Sequence, residues 1–143
     1  PLMARMLCGN HLVPRACACG MDRAGVTGLL QNAGGEIDRE GARLYQKLLA
    51  SPGHVSSALG MLAAWELRPL VRRLPELSCR LELVFGEDDR AVPPSVAMEV
   101  ADRAPHAHLV GLAGLGHLAH EEKPEVAAEI IRRVDAETRS APD

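Results

Sequence analysis

Two short apolar runs joined by one helical segment constrain the fold of this chain more than any other feature. Leu81–Phe85 and His108–Leu112 are each closely followed by glycine and have the length of a buried β-strand. Between them, Ser95–Ala104 repeats its apolar residues with helical spacing. Because a strand–helix–strand unit of this kind pairs its strands in parallel with a right-handed crossover, the sequence predicts an α/β architecture.

The chain divides into two parts with different patterns, residues 1–77 and 78–143. Apart from residues 1–22, where irregular or short helical structure is expected, the first part has helical periodicity, with helices expected after Asp38, after Ser51 and up to Pro75. The second part holds the two strands and their helices. The last helix is predicted over Pro124–Thr138. We therefore expect a helical lid followed by two strand–helix units.

An aspartate and a histidine follow the two predicted strands. Asp89 lies in the turn Gly-Glu-Asp-Asp after the first strand, and His117 lies in Gly-Leu-Gly-His after the second. In an open parallel sheet, ligands bind outside the carboxyl ends of the strands. Asp89 and His117 are therefore candidates for the acid and base of a hydrolase triad with the chain order Ser, Asp, His.

Other interpretations of these residues remain open. Asp88 and Asp89 could do no more than cap the turn before the Pro93-Pro94 helix start, and His117 could be a loop histidine bonded to backbone. His120 is a competing base. Glu121 and Glu122 are interpreted as anionic residues near a helix N-terminus and not as general acids. That last interpretation rests on their position alone.

The nucleophile of such a triad is missing from the sequence. No Gly-x-Ser-x-Gly occurs, and no serine stands in the strand–sharp turn–helix setting that exposes a nucleophile. The chain also begins at Pro1 and not at methionine, which suggests a fragment. We expect the chain alone to be inactive in acyl transfer. We also expect the outer edge of Leu81–Phe85 to be exposed and prone to aggregation.

Composition excludes several classes of protein. A formal charge of −3 argues against a nucleic-acid-binding protein, and no apolar run reaches the roughly 18 residues of a membrane span. Four cysteines without a disulfide framework indicate a reducing, cytoplasmic location. The spacing of Cys8, His11, Cys17 and Cys19 matches no common zinc pattern, so neither a metal nor a cofactor is predicted.

Two further sets of residues have ordinary structural interpretations. His54, Met61 and Trp65 share one helical segment and are interpreted as core and helix-capping residues, although they could line a pocket for a large apolar substrate. Cys79 precedes the first strand and is also expected in the core.

Residues 81–134 resemble the C-terminal end of the α/β-hydrolase superfamily. The matching features are the strand ending in Gly86, then Asp89, the Val92-Pro93-Pro94 turn, Gly116-His117 and Glu122-x-Pro124. This resemblance implies that Asp89 is the triad acid and His117 the general base. It also implies that a longer protein supplies the serine and the oxyanion loop from its first half.

A narrower resemblance covers about residues 25–135 and includes the predicted lid. The segments Leu44–Leu48, Ser51–Val55, Ala58–Leu67, Asp89–Pro94 and Gly114–Glu122 are similar to the α/β-fold magnesium-chelatase accessory proteins of bacteriochlorophyll biosynthesis. Leu62 and Glu66 depart from that family, where methionine and aspartate are expected. The likeness implies a role beside magnesium insertion into protoporphyrin IX, with the chelatase or a porphyrin as partner.

Two other functions stay open. The chain could belong to an esterase-like serine hydrolase that shares the lid only by general similarity. It could also come from a non-catalytic protein that binds a porphyrin or the chelatase. An Asp–His pair is compatible with hydrolysis and equally with a retained scaffold.

Overall fold

A computed structural model describes residues 22–140. The described chain begins with four helices, continues through a strand–helix–strand unit and ends with two helices. In order these are α1 (Arg23–Asn32), α2 (Arg39–Leu49), α3 (Pro52–Ala64), α4 (Arg68–Arg73), β1 (Leu81–Gly86), α5 (Pro94–Ala101), β2 (Ala107–Leu112), α6 (Ala119–Glu122) and α7 (Pro124–Ser140). A 3₁₀ turn at Leu74–Glu76 separates α4 from β1. The predicted α/β architecture is therefore present.

Side-chain caps define the starts of the first three helices. Asp22 and Asp38 each accept the backbone N–H three residues ahead, at 2.8 and 2.7 Å, and Ser51 accepts that of His54 at 3.4 Å. These bonds satisfy N–H groups that have no partner within the helix. The caps at Asp38 and Ser51 are the ones that the sequence predicts, whereas helix α1 was not predicted.

Helix α1 supplies much of the small core. Val26 is fully buried and Leu30 nearly so, and both pack with Leu118 from the segment before α6. Tyr45 and Leu49 of α2 cover this cluster. The cluster therefore joins the helical first part of the chain to the loop that follows β2.

The two strands pair in parallel, and Leu81 lies opposite Ala107 and Gly86 opposite Leu112. Each strand is one residue longer than predicted. Helix α5 ends at Ala101, three residues before its predicted end. Pro105 explains why Ala104 is not helical, because proline disfavours helical conformation in the residue before it and cannot donate a helical hydrogen bond.

An ion-pair network fastens β1 to α7. The carboxylate of Glu82 contacts Arg80 at 3.0 Å and Arg133 of α7 at 2.6 Å, and Arg80 also pairs with Glu137. Burial by itself would raise the pKa of Glu82, but the hydrogen bonds from the two arginines outweigh it, so this pKa is lowered. The carboxylate therefore stays ionised at the strand.

Many apolar side chains of the described residues remain exposed. Met61, Trp65, Leu70 and Ile131 are each at least half exposed. The core interpretation of His54, Met61 and Trp65 is therefore wrong for the described chain, and so is that of Cys79, which is exposed. Among residues 22–140, no helix is long and apolar enough to cross a membrane.

Candidate functional site

Asp89 and His117 meet at the carboxyl ends of the two strands. Asp89 lies three residues after the end of β1 and His117 five residues after the end of β2. Parallel pairing brings both loops to the same edge of the sheet. There Nδ1 of His117 lies 2.9 Å from Oδ2 of Asp89. The two candidate residues therefore form a hydrogen-bonded pair.

The turn after β1 holds the carboxylate of Asp89 in place. Its Oδ1 accepts the backbone N–H groups of Ala91 and Val92, both at 2.8 Å, while Oδ2 faces His117. The side chain is only 9% exposed. Burial alone would raise the pKa of Asp89, but the bonds from Val92, His117 and Ala91 outweigh burial and lower it. Asp89 is therefore an ionised acceptor.

The charge of Asp89 determines the tautomer of His117. An ionised carboxylate carries no proton, so Nδ1–H of the imidazole must donate to it. In the neutral ring Nε2 is then the unprotonated nitrogen, which can accept a proton. The His117 side chain is 41% exposed. This arrangement is what a general base requires of its orienting acid.

Close backbone contacts hold the two site loops against a turn of the helical part. A Cβ on Gly116 would lie 1.8 Å from the carbonyl oxygen of Gly34, and a Cβ on Gly34 would lie 2.1 Å from that of Asp88. Gly34 also has a φ of +83°, which favours glycine. The N–H of Arg90 bonds to the carbonyl of Ala33 at 3.2 Å. The turn at 33–35 therefore contacts both the aspartate loop and the histidine loop.

The glutamates after His117 have contacts that the sequence analysis missed. Oε1 of Glu122 accepts the backbone N–H of Gly116 at 3.3 Å, and Oε1 of Glu121 accepts the hydroxyl of Tyr45 at 2.7 Å. Their position near a helix start gave no sign of either bond. His120, the competing base, lies 3.7 Å from Glu121 and has no described bond to Asp89. The geometry therefore favours His117 over His120.

A groove of about 580 Å³ opens beside Asp89 and His117. Its apolar lining comes from β1, α5 and α7, and includes Val84, Val96, Val100, Ala127, Ile130 and Ile131. Within residues 22–140, β1 pairs with β2 alone, so its other backbone edge faces this groove. Buried N–H and C=O groups need partners. The free edge of β1 can therefore accept the hydrogen bonds of an added β-strand.

The remaining candidate residues do not form a site within the described chain. Cys8, His11, Cys17 and Cys19 lie outside the described residues. Across residues 22–140, no three His, Cys, Asp or Glu side chains are grouped so that they could hold a metal ion. Met61 of α3 and Trp65, which directly follows α3, do not line the groove beside His117.

The fold and the Asp–His pair define a class of protein. The family model described as "Alpha/beta hydrolase family" matches residues 11–130, and the chain belongs to this family. Similarity to individual proteins supports this family assignment. The chain is 38% identical over 122 residues to the magnesium-chelatase 30 kDa subunit of Rhodobacter capsulatus, a match over 85% of this chain and 43% of that protein. This confirms the narrower resemblance as well.

Two further proteins match the chain. An uncharacterized hydrolase, YugF, of Bacillus subtilis (strain 168) is 39% identical over 49 residues, which are 34% of this chain and 18% of that protein. The crystal structure of a membrane phospholipase A, a bacterial virulence factor, superimposes with a TM-score of 0.64 at 17% identity and covers 85% of this chain and 40% of that chain. The phospholipase supports the fold alone. The chain spans less than half the length of each of these proteins.

Proposed function

We propose that this chain is the C-terminal part of a magnesium-chelatase accessory protein that acts in bacteriochlorophyll biosynthesis. The 38% identity to the Rhodobacter capsulatus subunit over 85% of the chain carries this proposal. Residues 1–77 would contribute the lid and residues 78–143 the end of the hydrolase core. The partner would be the chelatase or a porphyrin. A cytoplasmic location is supported by four cysteines without a disulfide framework.

The Asp–His geometry favours a catalytic form of this role. With Asp89 ionised and bonded to Nδ1–H, Nε2 of His117 can take the proton of a serine hydroxyl as that oxygen attacks an acyl carbon. The carboxylate then stabilises the imidazolium, which returns its proton to the leaving group. The serine would come from residues outside this chain. A protein that only bound a porphyrin would not need this arrangement of Asp89.

Complementation of a gene deletion tests the proposal. In a bacteriochlorophyll-producing host that lacks the gene, pigment should return with the natural protein and fall strongly with His117→Ala or Asp89→Asn. His106→Ala is the matched control, because His106 is exposed and precedes β2, at the end of the strand away from the site. Its pigment level should match that of the natural protein.

Two results would redirect the proposal. If the gene is required but His117→Ala restores full pigment, the protein acts by binding and not by catalysis. If deletion leaves pigment unchanged while the purified protein cleaves short acyl esters, the chain belongs to an esterase and the pathway role is wrong.

A further inference from the structure

A long-range hydrogen bond ties the helical part of the chain to the segment that carries His117. The hydroxyl of Tyr45, on α2, donates to Oε1 of Glu121 on α6 at 2.7 Å, across 76 positions of sequence. The Tyr45 ring packs on the core formed by Val26, Leu30 and Leu118. Burial and the adjacent Glu121 carboxylate raise the pKa of Tyr45 to about 12, so the hydroxyl keeps its proton near neutral pH.

Helix α6 connects the Tyr45–Glu121 bond to the backbone around His117. It has only four residues, and the N–H groups of Glu121 and Glu122 both bond to the carbonyl of Leu118, at 2.7 and 2.9 Å. Leu118 is the residue after His117. Glu122 in turn accepts the backbone N–H of Gly116, the residue before His117. The backbone on both sides of His117 is therefore held by α6.

Besides the Tyr45–Glu121 bond, burial of Ala119 and the packing of Leu118 on the core hold α6 in place. A four-residue helix is far shorter than one that is stable by itself. Besides Tyr45, the described polar partner of the Glu121 carboxylate is the largely exposed ring of His120, at 3.7 Å. The Tyr45 hydroxyl is thus the polar contact that fixes Glu121 to the helical part of the chain.

We propose that Tyr45 is a positioning residue for His117. Its hydroxyl holds α6 through Glu121, and α6 holds the imidazole at hydrogen-bonding distance from Asp89. The helical part of the chain thereby sets the geometry of the base. This inference rests on the proposed function only in treating His117 as the base; the contact itself and its effect on the imidazole do not depend on the substrate.

Tyr45→Phe is the decisive change, because it keeps the ring in the core and removes only the hydroxyl. The measurement is solvent exchange of the His117 Nδ1–H proton by NMR, in the protein as its gene encodes it. Exchange should accelerate roughly tenfold, the factor expected when a hydrogen bond that stabilises a closed state is lost. Glu121→Ala should reproduce the effect, and Glu121→Gln, which keeps an acceptor oxygen, should restore slow exchange. In the double variant Tyr45→Phe with Glu121→Ala, the His117 Nδ1–H proton should exchange no faster than in either single variant.

Arg43→Gln is the matched control on the same helix, because Arg43 pairs with Glu40 and not with α6. The proposal is overturned if Tyr45→Phe leaves exchange within twofold of the natural protein, or if Arg43→Gln accelerates it equally. Should Tyr45→Phe fail to fold, Glu121→Ala and Glu121→Gln decide the matter by the same criteria. Loss of pigment activity without any change in exchange would refute the positioning role and leave the proposed function intact.

Discussion

Replacing Gly116 by alanine tests whether close backbone contact between the loops determines the site. The new Cβ would lie 1.8 Å from the carbonyl oxygen of Gly34 and 2.1 Å from its carbonyl carbon, whereas real Cβ contacts essentially never fall below 3.0 Å. Gly34 has no room to retreat toward the aspartate loop, since its own Cβ position lies 2.1 Å from the oxygen of Asp88. The histidine loop must therefore move away from the turn at 33–35.

The expected cost follows from the atoms that clash. Inserting a methyl group into packed side chains costs about 1–3 kcal/mol. Here the opposing atoms are backbone and cannot rotate aside, so we expect Gly116→Ala to lower the free energy of unfolding by about 3 kcal/mol or more. The movement should also lengthen the contact between His117 and Asp89, which is 2.9 Å in the intact protein.

Gly114→Ala provides a matched control in the same loop. Gly114 has a φ of +70°, but nothing lies within 4 Å of its Cβ position. Its substitution should cost only about 1–2 kcal/mol, the price of a left-handed conformation with a side chain. Urea denaturation gives both free energies, and the Nδ1–H resonance of His117 reports the bond to Asp89. The reasoning would be refuted if the two variants lost equal free energy of unfolding, or if Gly116→Ala left the Nδ1–H resonance of His117 unchanged.

Two further predictions concern pH and helix stability. The folded-state pKa of Asp89 lies below its ordinary value of 3.8, so its ionised form stabilises the fold above that pH and the contribution is lost as pH falls through the folded-state pKa. The stability gap between the natural protein and Asp89→Asn should therefore shrink between pH 6 and pH 3 in urea titrations, and a constant gap would contradict this. Gly60→Ala in the interior of α3 should raise the free energy of unfolding by about 0.5–1 kcal/mol, because nothing lies within 4 Å of the new methyl group; a loss of stability would show that other residues pack there.

The sequence predicts the strands and the Asp–His pair well because their signals are local. Leu81–Phe85 and His108–Leu112 differ from the observed strands by one residue each. Asp89 and His117 lie in the loops that follow those strands, so parallel pairing alone is enough to bring the two loops to one edge. The caps at Asp38 and Ser51 are equally local signals.

Helix α1 was missed because its own residues favour it only weakly. Gly25 and Gly28 interrupt it, and glycine costs about 1 kcal/mol in a helix interior relative to alanine. Its stability comes instead from burial of Val26 and Leu30 against Leu118, which lies more than eighty positions away. The spacing of Val26, Leu29 and Leu30 after Asp22 was the available signal.

The sequence by itself determined the two strands, the helices that begin after Asp38 and Ser51, and the two residues of the site, because hydrophobic period, caps and strand-end position depend on neighbours in the chain. Only the tertiary structure decided how that site is held. The contact of Gly34 with Gly116 and the bond from Tyr45 to Glu121 join residues more than seventy positions apart. No local pattern encodes such contacts, since they exist only once the helical part has packed against the loops that follow the strands.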